Sequence, residues 1–202
     1  MIFDVEGTDS VGKTTLVQSL ISNYPDEFYT IPDHAIDSHP EMIRSEYVDV
    51  TKDDVKFFLY LAEGVDLSRA YKAALNSYPS RHLILDRGVF SMLAYFEVLC
   101  LDRKARYREI LREYLHLIKM PDVVIYIKAP ADVVESRLIK KGHRDGVYEQ
   151  QAAQRVGFWN QLMSYYETWF RGTMQRVITI DGTKSIEEVR EIALKEMREL
   201  YE

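Results

Sequence analysis

The chain has 202 residues, 47% of them hydrophobic, and its formal net charge at pH 7 is −6. This length suits one α/β domain with a substantial core and is short for two, so we expect a single domain over residues 1–202. Acidic and basic residues are interspersed, which argues against a nucleic-acid partner, and no apolar run approaches the roughly 18 residues that cross a membrane. The single cysteine, Cys100, excludes an intrachain disulfide. A soluble, cytoplasmic protein is therefore expected.

Strands and helices alternate along the chain. Short apolar runs predict strands over residues 2–5, 27–31, 82–85, 123–127 and 177–180. Helices are expected over residues 15–21, 51–75, 91–101, 104–118, 130–142 and 159–170, and after a capping box that begins at Ser185. This alternation predicts a doubly wound, five-stranded parallel sheet flanked by helices.

The segment from Gly7 to Thr14 fits the phosphate-binding pattern G-x-x-x-x-G-K-[ST]. It lies between a predicted strand and a predicted helix, as the pattern requires. Backbone N–H groups of such a loop surround one anion, which we expect to belong to ATP. Lys13 is predicted to neutralise the β- and γ-phosphates, with the Thr14 hydroxyl on Mg²⁺. The predicted nucleotide-binding residues of the loop are Gly7, Ser10, Val11, Gly12, Lys13, Thr14 and Thr15.

Two further segments carry charged side chains suited to phosphate chemistry. The predicted third strand ends at Asp86 and Arg87, and ligands gather at the carboxyl ends of parallel strands, so Asp86 is expected beside the glycine loop. Between residues 137 and 149, basic side chains surround two glycines. By itself this pattern fits either a mobile lid over phosphates or an ordinary solvated helix end.

Three segments together resemble the thymidylate kinase branch of the P-loop nucleoside monophosphate kinases. They are residues 6–15, with Asp9 inside the glycine loop; residues 86–95, which fit D-R-x-x-x-S-x-x-A-Y; and residues 121–127, followed by the basic segment and the turn at 181–183. The resemblance extends nearly end to end. It implies ATP- and Mg²⁺-dependent phosphorylation of a deoxynucleoside monophosphate, with dTMP or a related pyrimidine deoxynucleotide first, by a homodimer.

The resemblance also implies roles for individual side chains. Asp9 would lie near the sugar 3′-hydroxyl, Arg87 on the acceptor phosphate and Tyr95 against the sugar, while Asp86 would hold Mg²⁺ or orient the acceptor. In this family a catalytic cation lies either in the glycine loop or in the lid, and Ser10 is neutral, which favours the lid. The remaining implied residues are Arg137, Lys141 and Arg144 over the γ-phosphate, Asp181, Gly182 and Thr183 beside adenine, and Tyr60, Arg69 and Ser91 at the acceptor.

Departures from the family pattern leave the acceptor open. The stretch 59–66 lacks the arginine that holds the base in the family, and no arginine follows until Arg69. The alternatives are a deoxynucleoside kinase, a kinase of a modified base in DNA, and a nucleotide-binding switch without catalysis. The apolar helices around residues 57–61 and 90–101 are predicted to supply the dimer face.

Overall fold

Five parallel strands form a sheet with the order β2-β3-β1-β4-β5. The computed structural model describes residues 1–31, 53–99, 104–141 and 157–201, apart from a few side chains within the helices. The strands are β1 (Ile2–Glu6), β2 (Phe28–Tyr29), β3 (His82–Asp86), β4 (Val123–Lys128) and β5 (Arg176–Asp181). All four neighbouring pairs are parallel, so the predicted five-stranded parallel sheet is confirmed.

Helices connect these strands. They are α1 (Lys13–Asn23), α2 (Asp53–Ser77), α3 (Val89–Leu99), α4 (Lys104–Tyr114), α5 (Ala131–Lys141), α6 (Phe158–Gly172) and α7 (Ile186–Arg198). The predicted capping box is present at the start of α7, where Ser185 and Glu188 bond each other's backbone amides. Helix α1 packs against α7, and α3 packs against α2 and α6.

Two predicted elements are shorter than the sequence suggested. The second strand spans Phe28–Tyr29 instead of residues 27–31, because in the described chain it is the edge strand and pairs only with His82 and Leu83 of β3. The helix expected over 104–118 ends at Tyr114. Its last turn tightens into a 3₁₀ helix over Leu115–Leu117, and Ile118 then adopts the extended backbone that leads the chain toward β4.

The centre of the sheet is buried on both faces. All five residues of β1 are buried, as are the first five of β4, because helices cover both sides of a doubly wound sheet. In register, Val5 lies beside Asp86 on one side and beside Ile125 on the other. The carboxyl ends of β1, β3 and β4 therefore meet at one edge, where the glycine loop begins.

Helix α3 belongs to the core. From Val89 to Val98 every side chain is buried except that of Tyr95, which is half-buried. Phe96 contacts Phe57 of α2 and Phe90 contacts Phe170 of α6, with ring centroids 5.3 Å apart in both pairs. The prediction that residues 90–101 supply a dimer face is therefore wrong for the described part of that range, because these side chains are already packed within one chain.

In the part of the chain described, no helix has the length and apolar character needed to cross a membrane.

Candidate active site

The glycine loop connects β1 to α1 through residues with positive φ. Gly7 has φ 145° and Gly12 has φ 106°. A Cβ at Gly7 would lie 2.4 Å from the carbonyl oxygen of Ile127 in β4, so only glycine allows the loop to pass this close to the neighbouring strand. Ser10 also has a positive φ, of 57°. The loop thus has the backbone conformation that a phosphate-binding turn between strand and helix requires.

Lys13 points into the loop. Its side chain is buried, with 5% of its surface exposed, and its Nζ donates to the carbonyl oxygen of Thr8 at 2.7 Å. Burial, and after it the positive charge of Arg87, lower the pKa of Lys13 to about 7. An anion bound in the loop would oppose both effects and favour the charged ammonium. The loop is therefore arranged to receive negative charge.

Oxygen ligands suitable for Mg²⁺ lie on two adjoining elements. Thr14 is an exposed residue in the first turn of α1, and Asp86 is the last residue of β3. The Oδ1 atom of Asp86 is buried and has no hydrogen-bond partner among the described residues. A hydroxyl and a carboxylate oxygen without a partner are the donors that this hard cation prefers, so the residues present fit Mg²⁺.

Asp9, Arg87 and Tyr95 form one cluster beside the loop. The Arg87 guanidinium makes an ion pair with the Asp9 carboxylate, and its Cζ lies 5.4 Å from the centroid of the Tyr95 ring. The Tyr95 hydroxyl donates to Asp9 Oδ2 at 3.0 Å. Burial alone would raise the pKa of Asp9, but Arg87 and Lys13 outweigh it and hold that pKa below its usual value. The structure thus brings together the three residues predicted for the acceptor sugar and phosphate.

Ser91 is held by two side chains for which the sequence indicated no role in the site. Its hydroxyl donates to the Glu6 carboxylate and lies 2.8 Å from the Tyr166 hydroxyl. Ser91 is 7% exposed. The structure therefore places this predicted acceptor residue in a buried network. The sequence did contain a signal, since Asp4 and Glu6 are two acids in a strand that is otherwise apolar.

Asp4 is the least expected of these buried groups. It lies in the central strand, it is fully buried, and neither carboxylate oxygen has a hydrogen-bond partner among the described residues. Burial, and after it the charge of Glu6, raise the pKa of Asp4 well above its ordinary value. Because burial disfavours the charged form, Asp4 destabilises the folded state at any pH at which its carboxyl group is ionised.

We expect Asp4→Asn to stabilise the protein, and increasingly so as the pH rises. The stability contributed by protonated Asp4 is complete below its unfolded pKa of 3.8 and is lost as the pH rises through the raised folded pKa. The amide of asparagine does not ionise, so the variant keeps this stability as the pH rises. Near neutral pH the gain should be about 1–2 kcal/mol, or about 2–6 °C in Tm. Thermal unfolding between pH 4 and pH 9 measures it, with the exposed Asp26→Asn as control, and a gain that did not grow with pH would contradict this account.

The predicted adenine-binding turn follows β5. The Asp181 carboxylate accepts from the Thr183 amide at 2.9 Å and from its hydroxyl at 2.7 Å, and these bonds lower the pKa of Asp181. Gly182 is buried, and its amide donates to the carbonyl oxygen of Lys128 at 2.8 Å. A groove of about 1010 Å³ opens beside this turn, between the ends of β4 and β5 and helices α5 and α6, and Asp181 is among its lining residues.

Arg69, predicted for the acceptor, and Arg137, predicted for the lid, lie on described helices. Arg69 is exposed on α2, and its neighbour Ser68 accepts from the amide of Lys119, which precedes the amino end of β4. Arg69 therefore lies toward the edge of the sheet opposite the glycine loop. Arg137 is half-buried on α5. The side chains of Tyr60 and Lys141 lie outside the described set, as does Arg144 with the rest of the predicted lid beyond residue 141.

Comparison with known proteins identifies the family. Residues 5–192 match the family model described as thymidylate kinase. The chain belongs to the thymidylate kinase family. It is 25% identical to the thymidylate kinase of Acinetobacter baumannii (strain SDF), over 96% of this chain and 98% of that protein. It is 26% identical to the thymidylate kinase of Blochmanniella floridana, over 92% of this chain and 89% of that protein.

Solved structures show the same fold. A thymidylate kinase from Candida albicans has a TM-score of 0.71 and 20% identity, covering 98% of this chain and 90% of its own. A deoxyadenosine kinase from M. mycoides with bound dATP has a TM-score of 0.70 and 18% identity, covering 98% and 100%. At these identities the likeness concerns the fold alone.

Family membership confirms several predictions made from the sequence. The resemblance to the thymidylate kinase branch is correct, and the fold is that of the P-loop kinases. As a member of the thymidylate kinase family, the protein is a nucleotide kinase, a transferase that phosphorylates a deoxynucleotide with ATP as the donor. The roles of the individual site residues remain predictions.

Proposed function

We propose that this protein transfers the γ-phosphoryl group of ATP to the 5′-phosphate of dTMP. The observation that supports this most is the cluster of Asp9, Arg87 and Tyr95 directly beside the glycine loop. It combines a carboxylate for a sugar hydroxyl, a guanidinium for a phosphate and a phenol ring for the sugar face. The acceptor phosphate and the donor phosphates would thus meet at one edge of the sheet, as phosphoryl transfer requires.

On the donor side, the loop backbone from Gly7 to Thr15 holds the phosphates, and Lys13 neutralises charge that develops on the β- and γ-oxygens. Thr14 and Asp86 would hold Mg²⁺, which would stabilise negative charge on the phosphates when bound. The turn of Asp181, Gly182 and Thr183 contacts the adenine. Because phosphoryl transfer needs alignment and charge neutralisation more than covalent help, few side chains suffice.

On the acceptor side, Arg87 exchanges its ion pair with Asp9 for the acceptor phosphate. Two parallel N–H···O bonds from a guanidinium fix both the position and the orientation of a phosphate. The Asp9 carboxylate, released in part from Arg87 and still bonded to Tyr95, then accepts from the 3′-hydroxyl of the sugar. The Tyr95 ring beside it leaves little room for a ribose 2′-hydroxyl.

The lid would complete the site. Arg137, Lys141 and Arg144 are proposed to close over the γ-phosphate, with residues 137–149 excluding water so that ATP is not merely hydrolysed. The neutral side chain of Ser10 in the glycine loop supports this assignment, because the transferring group needs a cation from another segment. We also infer that the enzyme acts as a homodimer in the cytoplasm on small-molecule nucleotides, without a nucleic-acid partner.

A panel of acceptors tests the proposed function. Purified protein, labelled ATP and Mg²⁺ are incubated separately with dTMP, thymidine, dUMP, hydroxymethyl-dUMP, dCMP and dGMP, and the products are separated. We expect the highest kcat/KM with dTMP and no transfer to thymidine, because Arg87 needs a phosphate to bind. If the phosphoryl group were transferred only to free nucleosides, the protein would be a deoxynucleoside kinase and not a dTMP kinase.

That second candidate is favoured by one observation. Arg69, the first arginine after the stretch 59–66, follows Ser68, which bonds the segment before the amino end of β4, whereas the cluster lies at the carboxyl ends of the strands. With no described arginine on α2 at the acceptor, Arg87 is the arginine of the described cluster that would bind the phosphate of a nucleotide. A nucleoside acceptor would leave Arg87 paired with Asp9, so a nucleoside kinase would tolerate loss of the guanidinium, and a dTMP kinase would not.

A further inference from the structure

Helix α3 has an unusual N-terminal cap. The residue before its first turn is Gly88, which has no side chain to accept hydrogen bonds from the free amides of the helix. Glu6 of β1 supplies the acceptor instead. Its Oε1 accepts from the Gly88 amide at 3.1 Å and from the Ser91 amide at 2.8 Å. The bond to Ser91, the third residue of the helix, is the one that a capping side chain normally makes, so Glu6 caps α3 from a different element.

This cap holds the backbone that carries Arg87. Arg87 has φ 72°, which is uncommon for a residue other than glycine, and its amide donates to the carbonyl oxygen of Val5 at 3.1 Å. Val5 and Glu6 are consecutive residues of β1. Strand β1 therefore holds the chain on both sides of the Arg87 Cα. The Val5 carbonyl binds the Arg87 amide, and the Glu6 carboxylate binds the next amide, that of Gly88. These two bonds direct the guanidinium toward Asp9.

Space for this arrangement depends on Gly88. A Cβ at this position would lie 2.4 Å from Oδ2 of Asp4 and less than 3 Å from the other two atoms of that carboxyl group. Asp4 is two residues before Glu6 on the same strand, so the two carboxyl groups underlie the start of α3 together. A side chain at position 88 would collide with the Asp4 carboxyl group, which is fully buried, so either that carboxyl group or the first turn of α3, with Arg87, would have to shift.

We propose that Glu6 is a positioning residue for the acceptor: it is fully buried beneath the site and acts by holding Arg87 in its left-handed conformation. The proposal rests on the proposed role of Arg87 at the acceptor phosphate. It predicts that loss of the carboxylate impairs the use of the acceptor and leaves the donor unaffected, since Glu6 binds the amides of Gly88 and Ser91 and none of the glycine loop's amides among the described bonds.

The test compares Glu6→Ala, Glu6→Gln and the matched control Glu97→Ala. Glu97 is also buried, at 3% exposed, and lies on the same helix, where it binds Arg108 at 2.8 and 2.7 Å. We expect kcat/KM for dTMP to fall by at least about tenfold in Glu6→Ala and to recover in part in Glu6→Gln, whose amide oxygen still accepts from both N–H groups. Affinity for a non-hydrolysable ATP analogue, measured by calorimetry, should stay within about twofold of wild type.

The matched control fixes how these results are interpreted. Glu97→Ala should lower Tm without changing kcat/KM by more than about twofold. An equal loss in both alanine variants would reduce Glu6 to a general stabilising residue and overturn the proposal. So would a parallel loss of affinity for the ATP analogue, because Glu6 would then act through the glycine loop.

A double-variant cycle separates this proposal from the proposed function. If Glu6 acts through Arg87, the variant carrying both Glu6→Ala and Arg87→Ala should be no slower than Arg87→Ala alone. Additive losses would overturn the positioning role. The cycle is run with whichever acceptor of the panel the wild-type enzyme phosphorylates. If the wild-type enzyme does not phosphorylate dTMP, that result contradicts the proposed acceptor and not the positioning role of Glu6.

A second route displaces the cap without touching Glu6, in case Glu6→Ala does not fold. Gly88→Ala should lower kcat/KM for the acceptor by at least about tenfold, because its Cβ collides with Asp4. Adding Asp4→Ala removes the collision and should restore the value to within about threefold, while Asp4→Ala alone should change it little. Normal activity in Gly88→Ala, or no recovery in the double variant, would contradict the arrangement.

Discussion

Lys13→Met should lower kcat by about 10³-fold while the protein remains folded. The ammonium is expected to act on charge that develops on the phosphates during transfer, so its loss should appear in kcat more than in KM for ATP. Methionine keeps most of the volume of the lysine stem. Since burial already disfavours the charge on Lys13, removing that charge should not reduce Tm. Steady-state kinetics and thermal unfolding measure the two effects.

A lysine remote from the loop serves as the control. Lys195 lies on α7, is 75% exposed and pairs with Glu199, so Lys195→Met should leave kcat within about twofold of wild type. Turnover near normal in Lys13→Met would show that the loop does not work as assigned. A loss of Tm together with activity would instead indicate that the bond from Lys13 to the Thr8 carbonyl is needed for folding.

Arg87→Ala should lower kcat/KM for dTMP by about 10²–10³-fold. This corresponds to about 3–4 kcal/mol, in the range measured when one partner of a charged, hydrogen-bonded pair is removed. The loss should lie mainly in the KM for dTMP, and KM for ATP should change little because the donor phosphates are proposed to bind the glycine loop and not Arg87. Any slow phosphorylation of thymidine should be unaffected, since that acceptor has no phosphate to lose.

Arg81→Ala is the matched control. Arg81 lies at the opposite end of β3, where it also packs on a tyrosine ring, 4.2 Å from the centroid of Tyr78, and donates to the carbonyl oxygen of Pro25. Arg81→Ala therefore removes an arginine that packs on an aromatic ring, as Arg87 does, but that lies outside the site. If Arg87→Ala impaired the use of ATP as much as that of dTMP, the acceptor assignment would be wrong.

Much of the fold follows from local patterns in the sequence. Apolar runs such as residues 123–127 cannot be exposed on either face, and their alternation with helices leaves a parallel, doubly wound sheet as the natural packing. The predictions from the sequence are wrong where strand pairing and side-chain packing determine the structure. The second strand is short because it lies at the edge of the sheet, and α3 is core and not a dimer face because α2 and α6 both cover it.

The candidate site likewise has residues that local sequence patterns predict and residues that they do not. The glycine loop and the Asp86-Arg87 segment were visible in the sequence because their chemistry depends on consecutive residues and fixed spacing. Arg69 was predicted at the acceptor from its position in the sequence, which does not show how far along the helix axis a side chain lies. Over the 16 residues from Asp53 to Arg69 a helix rises about 24 Å, which carries the side chain toward the other edge of the sheet.

What the sequence alone determined is the phosphate loop, the family and the order of strands and helices, since each depends on residues that are neighbours along the chain. Only the tertiary structure decided how Asp9, Arg87 and Tyr95 meet, why Gly88 must be small and how Glu6 reaches α3. Those contacts join residues about 80 positions apart. A register between parallel strands creates them, and no local pattern encodes that register.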